Sequence, residues 1–255
     1  MGKGSRNRAR RAAVSARSAT VRAQRELEHP AWPGLAQGIP GSADTRVRLA
    51  RPEDEAAIRH YLVQATEDQG INDPTKAVPT VCPSIQAGLE RGQDGFLEGA
   101  AEQLHAYTIE PDDAHVLAGF SLVAVNDSDV VVGAITVAPP WRYLEDITRG
   151  LGPQEIKPLL IQTMLGLAKV IGVAVRDDLR GNGIGGDLVR AALQVLNRCG
   201  TWRIVFGSCE SKRTEFYRRL GFNISALNDP IDTYLAIGIH GLISTPGHHI
   251  FSLER

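Results

Sequence analysis

Val173-Ala-Val-Arg-Asp-Asp-Leu-Arg-Gly-Asn-Gly-Ile-Gly-Gly-Asp-Leu-Val189 reads as a β-strand, a tight glycine turn and the opening of an amphipathic helix. Gly181, Gly183 and Gly185 lack a Cβ, so the backbone there can take positive φ and a ligand can come close to its N–H groups. Those N–H groups stand at a helix start, where the first donors have no partner inside the helix and the dipole is positive. Arg180 adds a cation beside them. Such an assembly suits a diphosphate.

Two other phosphate-binding patterns compete for this turn. Gly181-x-Gly183-x-x-Gly186 satisfies the dinucleotide-binding spacing, but in that motif the first glycine closes the strand directly. Here Arg176 to Leu179 intervene, and too little chain follows Glu210 for a second nucleotide-binding half. The P-loop pattern fails because no Gly-Lys-Ser/Thr follows the turn.

The order Arg180-x-x-Gly183-x-Gly185 after Val173-x-Val175 resembles the acetyl-CoA-binding motif of the GNAT N-acetyltransferase family. Phe216-Tyr-Arg-Arg-Leu-Gly-Phe222 is similar to the short helix and exit turn that follow that family's fifth strand, and Val47-Arg-Leu-Ala-Arg-Pro-Glu-Asp-Glu-Ala-Ala-Ile58 to its first strand and helix start. The resemblance implies an α/β fold of GNAT type, with a central mixed, mostly antiparallel splayed sheet flanked by helices. It also implies an acetyl-CoA-dependent N-acetyltransferase acting by direct attack of a primary amine, on a small-molecule or peptide acceptor. The cofactor-binding residues carried over are Val173, Val175, Arg180, Gly181, Asn182, Gly183, Ile184, Gly185 and Gly186, with main-chain groups of Val173 and Val175 meeting pantetheine. Tyr217 matches the family's general acid. A phenol near pKa 10 can protonate a departing thiolate; the plainer alternative, that both rings pack one helix face against the sheet, is kept for Phe216.

The general base stays unassigned, because Leu167 to Val175 holds no carboxylate. Glu210, Glu215 and Asp112-Asp113 read as surface charges before they read as bases. Glu210 and Arg213 depart from the family pattern, which puts one pantetheine contact in question. These departures motivate a second reading, a non-catalytic CoA-binding regulatory module of the same fold. Asp187 in the first helical turn would repel a diphosphate unless it points to solvent.

Composition frames these readings. The chain has 255 residues with 43% hydrophobic and 22% charged content, and a net charge of −1 gives the whole no bias toward nucleic acid. From Met1 to Arg25 there are eight Lys or Arg and no acid. That is a solvated tail, with a nucleic-acid-touching arm or a transit peptide as the alternatives. Three cysteines, Cys82, Cys199 and Cys209, suit buried thiols in a reducing compartment rather than disulfides, and their spacing offers no metal site. His248-His249 alone make no metal site either. No apolar run is long enough to span a bilayer, so a cytoplasmic location is expected.

Along the chain, residues 1–44 read as a basic tail and a Pro/Gly linker, and 45–255 as one domain with a variable insertion at about 66–115. A first strand at Val47–Ala50 leads into a helix to about Ala65, with short helices near Ser84–Arg91 and Phe96–Ala106. A hairpin spans Gly119–Val125 and Asp129–Val137, a helix Gln154–Lys169, and a covered central strand Val170–Val175. The helix after the glycine turn should bury Leu188, Val189, Ala192, Val195, Leu196 and Cys199 and stop at Gly200. Ile204–Cys209 and Ile250–Leu253 are the remaining strands, with Ser211 and Gly221 capping the helix between them.

Overall fold

The computed structural model describes residues 32–65, 80–106, 117–238 and 241–255. The basic tail and the two flanks of the variable insertion, residues 66–79 and 107–115 with Asp112-Asp113 among them, lie outside these residues. In chain order the elements begin with α1 (Trp32–Gln37), β1 (Ile39–Pro40), β2 (Arg46–Leu49), α2 (Glu55–Ala65), α3 (Pro83–Arg91) and α4 (Gln93–Ala106). They continue with β3 (Phe120–Val125), β4 (Val131–Ala138), α5 (Trp141–Thr148), α6 (Pro153–Gly166), β5 (Leu167–Val175), α7 (Ile184–Cys199) and β6 (Ile204–Cys209). The last are α8 (Thr214–Arg219), β7 (Asn223–Ile224), β8 (Ile231–Asp232), α9 (Tyr234–Ile237), β9 (Leu242–Ile243) and β10 (His249–Glu254).

One mixed sheet in the order β1-β2-β3-β4-β5-β6-β10-β7 organises the molecule, antiparallel throughout except between β5 and β6. That parallel pair is short. Leu167, Ala168 and Lys169 face Ile204, Val205 and Phe206, and pairing then stops. Meanwhile β4 follows β5 to Val175 and β10 follows β6 to Cys209, so the two central strands part company while each keeps its outer neighbour. The cause lies in the β4–β5 ladder, where the register shifts between Thr136 and Val137. An extra residue on one strand bends it and sharpens its twist, which carries β5 away from β6.

α7 covers one face of the sheet together with α3 and α4. Its apolar residues recur at helical spacing, and Leu188, Val189, Ala192, Val195, Leu196 and Cys199 are all buried. Gly200 ends it in the left-handed region at φ 75°, its N–H bonded to Leu196 O at 2.9 Å. The opposite face carries two separate apolar clusters. Ile58, Tyr61 and Leu62 of α2 meet Val123, Val125 and Ala134, and Ile237 of α9 meets Leu167, Ile204, Phe206 and Ile250.

Arg48 and Asp54 are buried together, with guanidinium–carboxylate contacts of 2.6 and 3.0 Å. Burial alone would raise the Asp54 carboxyl, but Arg48 and the Arg51 N–H outweigh it and hold the group below the usual carboxylate range. The pair ties the end of β2 to the start of α2.

Two expectations need correcting, and one element is new. The Pro/Gly stretch before residue 45 is not all linker: Leu35 of α1 lies in the main core and β1 pairs with β2. Pro40 is tolerated because β1 is the sheet edge, where a missing donor costs little. The central strand begins at Leu167 instead of Val170, and the preceding helix stops at Gly166, because parallel pairing with β6 claims residues 167 to 169. Helix α5 after Pro139-Pro140 was not foreseen.

Candidate active site

The glycine turn stands at the mouth of the splay. Gly183 is the N-cap of α7 with φ +92°, and Gly181 has φ +84°. Residues 181 to 183 are exposed. Among the described residues no hydrogen-bond acceptor meets the backbone N–H groups from Gly181 to Gly186. A run of unpaired donors at the N-terminus of a long helix is an anion-binding arrangement.

The glycines serve different ends. Around Gly181 a Cβ would meet nothing within 4 Å, so that side is open. At Gly183 a Cβ would lie 2.7 Å from Ser42 Oγ, so the β1–β2 turn rests against the N-cap. At Gly185 a Cβ would lie 3.6 Å from the Phe216 ring, on the side toward α8. Asp187 does not point into solvent. Its Oδ2 accepts the Ser42 N–H at 2.7 Å and its Oδ1 meets Arg190 at 2.7 Å. The carboxylate is thereby engaged by partners of its own and is drawn toward the β1–β2 turn.

Main-chain polarity on β5 follows from one bond. Arg176 N–H donates to Val132 O at 2.9 Å, so by alternation Val173 and Val175 direct their groups away from β4, into the gap. The Val175 carbonyl is already taken, since Arg180 Nε donates to it at 3.1 Å. That leaves the Val175 N–H and both groups of Val173. Arg180 also pairs with Asp177 at 2.6 Å, which fixes the guanidinium across the loop base. Asn182 donates from its side chain to Leu179 O at 3.2 Å, bracing the same loop, while Ile184 is buried beneath it.

Tyr217 lies under the other lip of the gap. Its ring stacks on Phe251 at 3.6 Å between centroids and meets Phe216 and Phe222 edge-on. The hydroxyl makes no hydrogen bond to any described residue. Burial first, and the Cys209 thiol second, push its pKa well above the ordinary phenol value. Of the acids considered from the sequence, Glu210 pairs with Lys212 and Glu215 with Arg218, both on the surface. His249 bonds to Ser211 and Ser225 rather than to a metal-binding neighbour, and Ser211 is not the N-cap of α8, that place being held by Arg213.

One residue was missed: Lys169. It alternates with Leu167 on the face opposite α7, at the last paired position before the strands part. Some of its surface remains accessible, while burial of the amine, helped by the Arg142 guanidinium, lowers its pKa to about 8. The available signal was a lone charge inside the apolar run Leu167 to Val175.

Elsewhere, a small apolar cavity lined by Phe96, Met164 and Trp202 lies at the far end of α7 beside Cys199, remote from the glycine turn. All three cysteines are buried with raised pKa values, from about 11 to about 12, so none is poised as a nucleophile. Among the described residues there is no cluster of three or more metal-ligating side chains, and no helix long and apolar enough to cross a membrane.

A mixed, mostly antiparallel sheet splayed at its centre, with an anion-binding helix start at the opening, is the architecture of an acyl-CoA-dependent acyltransferase fold. The sequence model of the acetyltransferase (GNAT) family matches residues 93–222, and the chain belongs to that family. No curated protein matches it. Among solved structures it is similar to a GCN5-related N-acetyltransferase from Kribbella flavida, at 18% identity and a TM-score of 0.42, covering 83% of this chain and 98% of that one. A GNAT family acetyltransferase from Brucella melitensis in complex with acetyl-CoA is also similar, at 24% identity and a TM-score of 0.36, covering 70% and 82% of the two chains.

Proposed function

We propose that the chain is an acetyl-CoA-dependent N-acetyltransferase that acetylates a primary amine of a small-molecule or peptide acceptor by direct attack. The observation that carries this reading is the unpaired N–H run from Gly181 to Gly186, set where β5 and β6 separate. Exposed donors, a loop braced by Arg180 and Asn182, and open space at Gly181 fit a diphosphate. The free main-chain groups of Val173 and the Val175 N–H fit the amide-bearing arm of the same cosubstrate.

Acetyl-CoA supplies an acyl group activated as a thioester. The chain's own residues do the rest. The loop anchors the donor, and the Val173 N–H, fixed in direction by the ladder to β4, is placed to donate to a carbonyl oxygen as negative charge develops there. Tyr217, kept protonated by its surroundings, gives a proton to the departing sulfur. The acceptor comes from the face opposite α7, between the apolar clusters of α2 and α9.

The test is acetyl-CoA turnover against a broad panel of amines, read as thiol release. At least one amine should give turnover that scales with enzyme. CoA binding with no turnover on any amine would favour the non-catalytic module instead.

A further inference from the structure

We propose that Lys169 is a catalytic residue, the group that accepts the proton of the attacking ammonium, taking the place of the carboxylate that β5 lacks. The proposal rests on the transferase reading. Three observations carry it. Lys169 occupies the vertex of the splay, paired in register with Phe206 one step before the strands part. Its side chain emerges on the face opposite α7, away from the diphosphate loop, the face from which the proposed acceptor comes. On that face Leu167 is claimed by the α9 cluster and Ala174 packs against the α2 cluster, so Lys169 falls in the interval between the two.

The surroundings keep a useful share of the amine neutral. Ala138 from β4 and Phe206 from β6 stand beside it in register and neither titrates. From α5 come Arg142, whose charge disfavours a second cation, and Tyr143, whose hydroxyl is bonded to Thr233 at 2.7 Å and whose pKa burial raises. With the amine at about 8, roughly a tenth is unprotonated at neutral pH, enough to act as a base near the operating pH.

The proton balance closes. The substrate ammonium gives one proton to Lys169 Nζ, and the freed amine attacks the thioester carbonyl carbon. The C–N bond forms, the C–S bond breaks, and the thiolate takes the Tyr217 proton. The second proton lost by the substrate nitrogen restores Tyr217, and Lys169 releases its proton to water.

The experiment compares Lys169→Arg with Lys169→Glu in the full chain, using the best amine of the panel, with kcat/KM measured across pH. The wild type should show an acid limb near pH 8, rising with pH as Lys169 loses its proton. Lys169→Arg keeps the charge and shape but cannot accept a proton, so kcat/KM should fall by about 10²–10³. Lys169→Glu restores a base of lower pKa, so it should outperform Arg and move the limb to lower pH. A merely structural lysine predicts the reverse order. Calorimetric CoA affinity, unchanged in both variants, shows that the site still folds. The proposal is overturned if Arg matches the wild type, if Arg outperforms Glu, or if the wild type lacks the limb near pH 8. A wild type with no turnover on any amine removes the transferase reading itself, and the role with it.

Discussion

Tyr217→Phe should lower acetyl transfer by about 10²–10⁴ while leaving the melting temperature almost unmoved. The two halves of that expectation come from different atoms of one side chain. The ring does the packing: it stacks on Phe251 and meets Phe216 and Phe222 edge-on, contacts that a phenylalanine would keep. The hydroxyl makes no hydrogen bond to a described residue, so its removal leaves no orphaned partner among them. A loss confined to catalysis therefore assigns the oxygen to chemistry. Because burial and Cys209 push the phenol upward, it stays protonated through the ordinary working range, and no alkaline fall in rate is expected at the usual tyrosine pKa. A variant within twofold of the wild type would reduce Tyr217 to packing.

Lys169→Met should move stability and activity in opposite directions. Folding holds the amine at about 8, below its ordinary value near 10.5, so the folded state penalises the charged form. The sign follows from proton binding. Below pH 8 the lysine is protonated in both states and the penalty is fully present, and it disappears as pH rises from 8 to 10.5, where the unfolded chain binds more protons. After allowance for the partly exposed residue, methionine should gain roughly 1–3 kcal/mol at pH 7, read by urea denaturation, and nothing above about pH 10.5. Turnover should fall as in Lys169→Arg. A residue that costs stability yet is needed for rate is the pattern of a functional site. Equal or lower stability at pH 7 would contradict the account.

How far the sequence could be read depended on how local each signal was. α7 was legible because its stripe and both its ends are written in neighbouring residues, from Gly183 to Gly200. The short helices α3 and α4 and the β3–β4 hairpin were legible for the same reason. The start of β5 was not, since Leu167 to Lys169 is extended only because β6 pairs with it. The N-terminal hairpin was hidden by its composition. Pro40 and Gly41 read as a linker, and what fixes the turn is Ser42 N–H meeting Asp187, 145 positions later. That contact also settles the first-turn carboxylate, whose direction no local pattern could give. Lys169 was visible as an oddity, but its place at the vertex is a property of strand register.

The site's meaning turns on one proposed interaction, the grip of the Gly181–Gly186 amides on a diphosphate. Calorimetric titration of the folded full chain with CoA tests it most directly. The account predicts saturable heat with a Kd between about 1 μM and 1 mM, in the range of ordinary enzyme substrates. No heat at millimolar CoA, from protein shown to be folded, would contradict it.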